Sequence, residues 1–119
     1  MAELIVALDV ESSEAAERLL DALPDARWVK VGSVLMGREG PALLARLRAR
    51  GLSIFLDLKW HDIPNTVAGA VAAARDAGVA MATVHALGGV RMMEAAAKAA
   101  GEVALVGVTV LTSHDPEGY

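Results

Sequence analysis

Five short apolar runs rich in β-branched residues recur along the chain, at Leu4–Leu8, Trp28–Val31, Ser53–Leu58, Met81–His85 and Val103–Val108. Their starts are separated by 24, 25, 28 and 22 residues. Runs of this length read as strands buried on both faces, and each gap holds one segment of helical pattern. That is the rhythm of repeated βα units, which requires a parallel sheet. No linker or low-complexity tract interrupts it.

The helical segments carry their own punctuation. The first opens at Ser12 or Ser13, either of which can cap it, with Glu14 and Glu17 near the positive end of its dipole. Its buried stripe is Ala16, Leu19, Leu20 and Leu23, and Pro24 stops it. The second begins near Pro41, buries Leu43, Leu44 and Leu47, turns Arg46 and Arg50 outward and ends at Gly51. The third follows Ile63-Pro64-Asn65 and runs to Gly78, with Val67, Ala70, Val71 and Ala74 inward. The fourth follows Gly88-Gly89 and ends at Gly101, with Met92, Met93, Ala96 and Ala100 inward. These methionines read as core filling.

A closed (β/α)8 barrel takes roughly 250 residues. At this spacing the 119 residues supply four βα units and a fifth strand, so the expected fold is the N-terminal half of such a barrel, in one domain over residues 1–119. A sheet this apolar needs covering on both faces and at its edges, so self-association is expected. An open doubly wound sheet is the competing architecture.

Composition narrows the partners. Twenty-four alanines against four aromatic residues call for helices packed closely on strands. A net charge of −4 opposes binding to a phosphate backbone, so nucleic acid is not an expected partner. The absence of cysteine excludes disulfides, thiolate metal sites and a thiol nucleophile. The opening Met-Ala-Glu-Leu lacks a basic leader pattern and no apolar run reaches ~18 residues, so no membrane contact and a cytoplasmic location are expected.

Charged groups in or at the ends of apolar strands are costly unless paired or used. Here Asp9 ends the first run, Lys30 lies near the end of the second, Asp57 and Lys59 end the third with Asp62 just beyond, and His85 ends the fourth. In a βα barrel all of these lie on the C-terminal face, where active sites are built. The densest cluster is Asp57-Leu58-Lys59-Trp60-His61-Asp62, whose alternation puts Asp57 and Lys59 on one side. With Lys30 it sets two ammonium groups among two carboxylates. Such a network keeps each group ionised and aims a lysine proton at one point. A buried ion-pair network that merely fixes register is the alternative.

Other positions carry less. His61, His85 and His114 lack the spacing of a helical metal pair, so no metal site is expected. Gly88-Gly89 reads as an ordinary turn. Thr109, Thr112 and Ser113 precede the turn-rich Asp115-Pro116-Glu117-Gly118, where hydroxyls could meet a ligand or cap a short helix.

Leu4-Ile-Val-Ala-Leu-Asp9, Lys30-Val-Gly32 and Leu56-Asp-Leu-Lys-Trp-His-Asp-Ile-Pro-Asn-Thr66-Val resemble the orotidine 5′-phosphate decarboxylase family, as does Leu111-Thr-Ser113. The resemblance runs in order along the whole chain. It implies a cofactor-free enzyme of pyrimidine biosynthesis that converts orotidine 5′-monophosphate to uridine 5′-monophosphate and CO2. It further implies that Asp9 and Lys30 bind the ribose hydroxyls. Lys30, Asp57, Lys59 and Asp62 would form the catalytic network, with Lys59 as proton donor.

By the same resemblance, Asp62 and Thr66 would reach across a homodimer interface into the partner's site. Ile63 would line the substrate site, and Thr112 or Ser113 would touch the pyrimidine. In the family the substrate phosphate is gripped after the seventh and eighth strands, beyond Tyr119, so the chain is expected to be a half-barrel whose separate activity is open. Two other readings stand beside it. A Mg²⁺-dependent sugar-phosphate decarboxylase or synthase of the same superfamily shares Asp-x-Lys-x-x-Asp, but generally has Glu where this chain has Lys30. A non-catalytic half-barrel would serve only as an oligomerisation module.

Overall fold

The computed structural model describes residues 4–108. It alternates strands and helices: β1 (Ile5–Ala7), α1 (Ser13–Asp21), β2 (Trp28–Gly32), α2 (Ser33–Glu39), α3 (Pro41–Ala49), β3 (Ser53–Trp60), α4 (Pro64–Asp76), β4 (Met81–His85), α5 (Val90–Ala100) and β5 (Ala104–Val108). A single 3-10 turn, Ala86–Gly88, joins β4 to α5.

The five strands form one parallel sheet in the order β1-β2-β3-β4-β5. A strand order that never reverses, with right-handed crossovers, puts every helix on the same face of the sheet. This is the winding of the first half of a (β/α)8 barrel, and it excludes the doubly wound alternative, which needs a reversal.

The core lies between the sheet and that helical layer. Val29 and Val31 of β2, Ile54 and Leu56 of β3, and Ala82 and Val84 of β4 are buried there against Leu43, Leu44 and Leu47 of α3, Val67 and Val71 of α4, and Met92 and Ala96 of α5. Strand alternation then sends Trp28, Lys30, Phe55, Asp57, Met81 and Thr83 to the other face, which carries no helix among the described residues.

Helix termini follow their local chemistry. Ser12 caps α1, its hydroxyl accepting from the Ala15 N–H at 3.1 Å. Pro41 and Pro64 open α3 and α4, where the missing N–H costs nothing. Arg46 and Arg50 do turn outward from α3, and they bond back to α1 through the Ser13 hydroxyl and the Asp21 carboxylate.

Several local expectations are corrected. The first strand stops at Ala7, so Asp9 lies in the following connection rather than at the strand's end. Leu23 lies beyond the end of α1 and is 42% exposed, and Met93, on the outer side of α5, is 39% exposed. Helix α2 was not expected at all. Its seven residues bury only Leu35, too little to show a helical period.

Candidate active site

Three of the charged residues read from the sequence meet on the helix-free face. Val29 and Val31 fix β2 against the helices, so Lys30 between them projects the opposite way. On the neighbouring strand Asp57 follows the buried Leu56 and pairs in register with Gly32. Lys30 is two residues below that level, and its extended side chain brings Nζ to 3.9 Å from Asp57 Oδ2. Lys59 Nζ donates to both carboxylate oxygens of Asp57, at 3.0 Å each.

Lys59 reaches Asp57 by a different route from plain alternation. The β3–β4 register is Leu56↔Ala82 and then Trp60↔Val84, so β3 bulges between Leu56 and Trp60. Within the bulge Lys59 has φ 51°, the only positive φ at a non-glycine among the described residues. Left-handed backbone at such a residue costs free energy that surrounding contacts must offset, and it concentrates at functional sites.

The carboxylate at the centre is held ionised. Burial alone would raise the Asp57 pKa. Hydrogen bonds from Lys59 and Thr83, with the charges of Lys59 and Lys30, more than offset that and leave it below the usual carboxylate value. Asp57 is also the most enclosed of the three, its side chain 15% exposed against 35% for Lys30 and 40% for Lys59. Two ammonium groups thus flank one carboxylate.

The trio faces a cleft of about 440 Å³ lined by Asp9, Glu11, Lys30, Ser33, Asp57 and Lys59, among others. Asp9 therefore joins the trio at the same opening although it lies past the strand. Glu11 and Ser33 were not singled out from the sequence; Glu11 lies in the connection from β1 to α1 and Ser33 opens α2, the helix that the sequence pattern did not reveal.

Asp62, Ile63 and Thr66 stand apart. Asp62 accepts from the N–H of Ile63 at 2.7 Å, closing the turn into α4, and it makes no ion pair among the described residues. Ile63 is 65% exposed. Asp62 and Thr66 line a second depression of about 320 Å³, together with Lys59, Trp60 and His61, between the end of β3 and α4. Thr112 and Ser113 lie outside the described residues.

Two features escaped the sequence. The His61 and His85 rings stack at 4.9 Å, and the Nδ1 of His85 accepts from the Leu87 N–H. Thr83, two residues before His85 on β4, bonds both to Asp57 and to the backbone of Lys59. Counting back by alternation from His85 would have placed it on the charged face. Among the described residues no three His, Asp or Glu side chains cluster as metal ligands would.

Known proteins are similar to this chain in sequence and in fold. The family model for orotidine 5′-phosphate decarboxylase / HUMPS matches residues 2–118. The orotidine 5′-phosphate decarboxylase of Halorhodospira halophila is 56% identical over 117 residues, 94% of this chain and 50% of that protein. That of Alcanivorax borkumensis is 53% identical over 117 residues, 94% of this chain and 51% of its own. The crystal structure of orotidine 5′-phosphate decarboxylase from Lactobacillus acidophilus superposes with a TM-score of 0.86 at 39% identity, covering 95% of this chain and 55% of that one. The enzyme from Thermotoga maritima superposes at 0.81 with 32% identity, covering 93% and 56%. The chain spans about half the length of the curated relatives it matches. A sheet wound in one direction, a lysine–aspartate–lysine trio on its helix-free face and a family match across nearly every residue agree with one another: this chain belongs to the orotidine 5′-phosphate decarboxylase / HUMPS family.

Proposed function

We propose that this chain carries the proton-donating part of a site that decarboxylates orotidine 5′-monophosphate to uridine 5′-monophosphate, in pyrimidine nucleotide synthesis in the cytoplasm. The observation that carries this reading is the double contact of Lys59 Nζ with Asp57, beside the Lys30 ammonium. In the reaction the bond from the pyrimidine ring carbon to its carboxylate breaks, CO2 leaves with neither of the bonding electrons, and the pair stays on the ring carbon. The ring offers no electron sink for that pair. Fixed positive charge beside the carbon is then the effective stabiliser, because it needs no reorganisation as the anion develops. Lys59 provides that charge and donates the proton that completes the product. Asp57, kept ionised, fixes the lysine's direction and opposes the negative carboxylate that must depart.

In the same reading Asp9 and Lys30 hold the ribose hydroxyls at the cleft. Ile63 and Thr112 line the substrate site. Asp62 and Thr66, lying beyond the end of β3, complete the site of a second copy in a homodimer. The reaction calls for no metal and no cofactor. Lys30 also favours this reading over the sugar-phosphate branch of the superfamily, because it puts an ammonium group where that chemistry uses a carboxylate.

The test is a decarboxylation assay on the purified chain with orotidine 5′-monophosphate and no added metal, run beside Lys59→Ala. Turnover that disappears in the variant is the expected result. Turnover that persists in Lys59→Ala removes Lys59 as the proton donor, and none in either protein removes this activity from the chain as it stands.

A further inference from the structure

Thr83 occupies the point where the β3–β4 ladder fails. Across the bulge, the steps from Leu56 to Trp60 on β3 are matched on β4 only by those from Ala82 to Val84, and Thr83 is the residue between them. The residue is 3% exposed, so each of its polar contacts is made without competing water. The Lys59 N–H donates to Thr83 Oγ1 at 2.9 Å, and Thr83 Oγ1 donates to Asp57 Oδ1 at 2.8 Å.

The direction of these bonds follows from the groups themselves. A backbone N–H can only donate, so the hydroxyl oxygen accepts there and its single proton is free for Asp57. That proton needs an acceptor, and an ionised carboxylate oxygen is a stronger one than a protonated carboxyl. One hydroxyl therefore ties together the left-handed backbone of Lys59 and the ionised state of Asp57. Valine, nearly the same shape, would leave the Lys59 N–H without its acceptor and Asp57 without one of its donors.

We propose that Thr83 is a positioning residue of this site: its hydroxyl closes the β3 bulge so that Lys59 is presented in its left-handed conformation and Asp57 is held as an acceptor between two lysines. It touches no reacting atom and acts through the other two. Its kinetic consequence rests on the decarboxylase reading, whereas its effect on Asp57 and on the Lys59 backbone does not.

The experiment measures both levels in the full chain with Thr83→Val, Thr83→Ala and Thr83→Ser. The Asp57 carboxyl is titrated by carbon NMR, and exchange of the Lys59 amide is followed in the same samples. The two hydroxyl-free variants are expected to raise the Asp57 pKa and speed Lys59 amide exchange, while serine restores both. In the decarboxylation assay kcat is expected to fall by about tenfold or more in the hydroxyl-free variants, as for loss of a hydrogen bond to a charged group, with recovery in serine. Should valine fail to fold, the alanine variant and the serine rescue give the same comparison. An unmoved Asp57 titration in a folded hydroxyl-free variant overturns the proposal whatever the activity. A shifted titration with no turnover in any protein, wild type included, leaves the positioning role standing and defeats the decarboxylase reading instead.

Discussion

Lys59 is asked for two things at once, an ammonium group in the cleft and a backbone conformation that side chains resist. Its φ of 51° is a glycine's conformation, so the side chain is kept there against a local penalty. Lys59→Gly is therefore expected to be more stable than Lys59→Ala by about 1 kcal/mol in urea unfolding, since only alanine retains the strained Cβ. Equal stability of the two would mean that the bulge relaxes when the ammonium is removed. Asp57 gives a prediction in pH. Its folded pKa lies below the ordinary aspartate value of 3.8, so it binds its proton less readily when folded and contributes stability above that value. That contribution is lost as pH falls through the folded pKa. The stability difference between wild type and Asp57→Asn, from urea midpoints, is expected to be flat near neutrality and to shrink below about pH 4. A difference independent of pH would remove the ionised carboxylate as its source.

At the scale of single elements, α1 depends on one cap. The Ser12 hydroxyl satisfies the Ala15 N–H, and Ser12→Ala is expected to cost about 1 kcal/mol by urea unfolding, with Ser12→Asp close to wild type. This cap was readable because its chemistry is local: a hydroxyl followed by acidic residues and an apolar stripe. The five strands were readable for a similar reason, as each is an apolar run bounded by turn residues. Helix α2 was not, because Ser33–Glu39 is short, contains Gly37 and buries one side chain, so it depends on what packs beneath it. The site divides in the same way. Lys30, Asp57 and Lys59 were conspicuous as charges within apolar strands. Thr83 is an ordinary strand residue in isolation, and its importance arises from a β3–β4 register that exists only once the strands pair. Leu23 and Met93 fell on the wrong side for the complementary reason: apolar character permits burial but does not assign it.

Taken whole, the described sheet has one face covered by helices and one face bare. Parallel sheets are normally covered on both, because their strands are apolar on both sides. Trp28, Phe55 and Met81 project onto the bare face, with Ile5 46% exposed on β1 and Val106 37% exposed on β5. Among the described residues β1 and β5 each pair along one side only, which leaves two open edges beside that apolar band. Exposed apolar surface of this kind next to unpaired strands drives association. Sedimentation velocity across a range of loading concentrations is therefore expected to show species heavier than the 12.3 kDa monomer, growing with concentration. Ile5→Lys places a charge on the β1 edge, level with Trp28 at the opposite end of the strands from Asp57 and Lys59, so it is expected to shift the distribution toward monomer with the urea midpoint little changed. A wild-type chain that sediments only as monomer at every concentration would show that the bare face does not associate. An Ile5→Lys variant that associates like wild type would instead move the contact to the β5 side of the sheet.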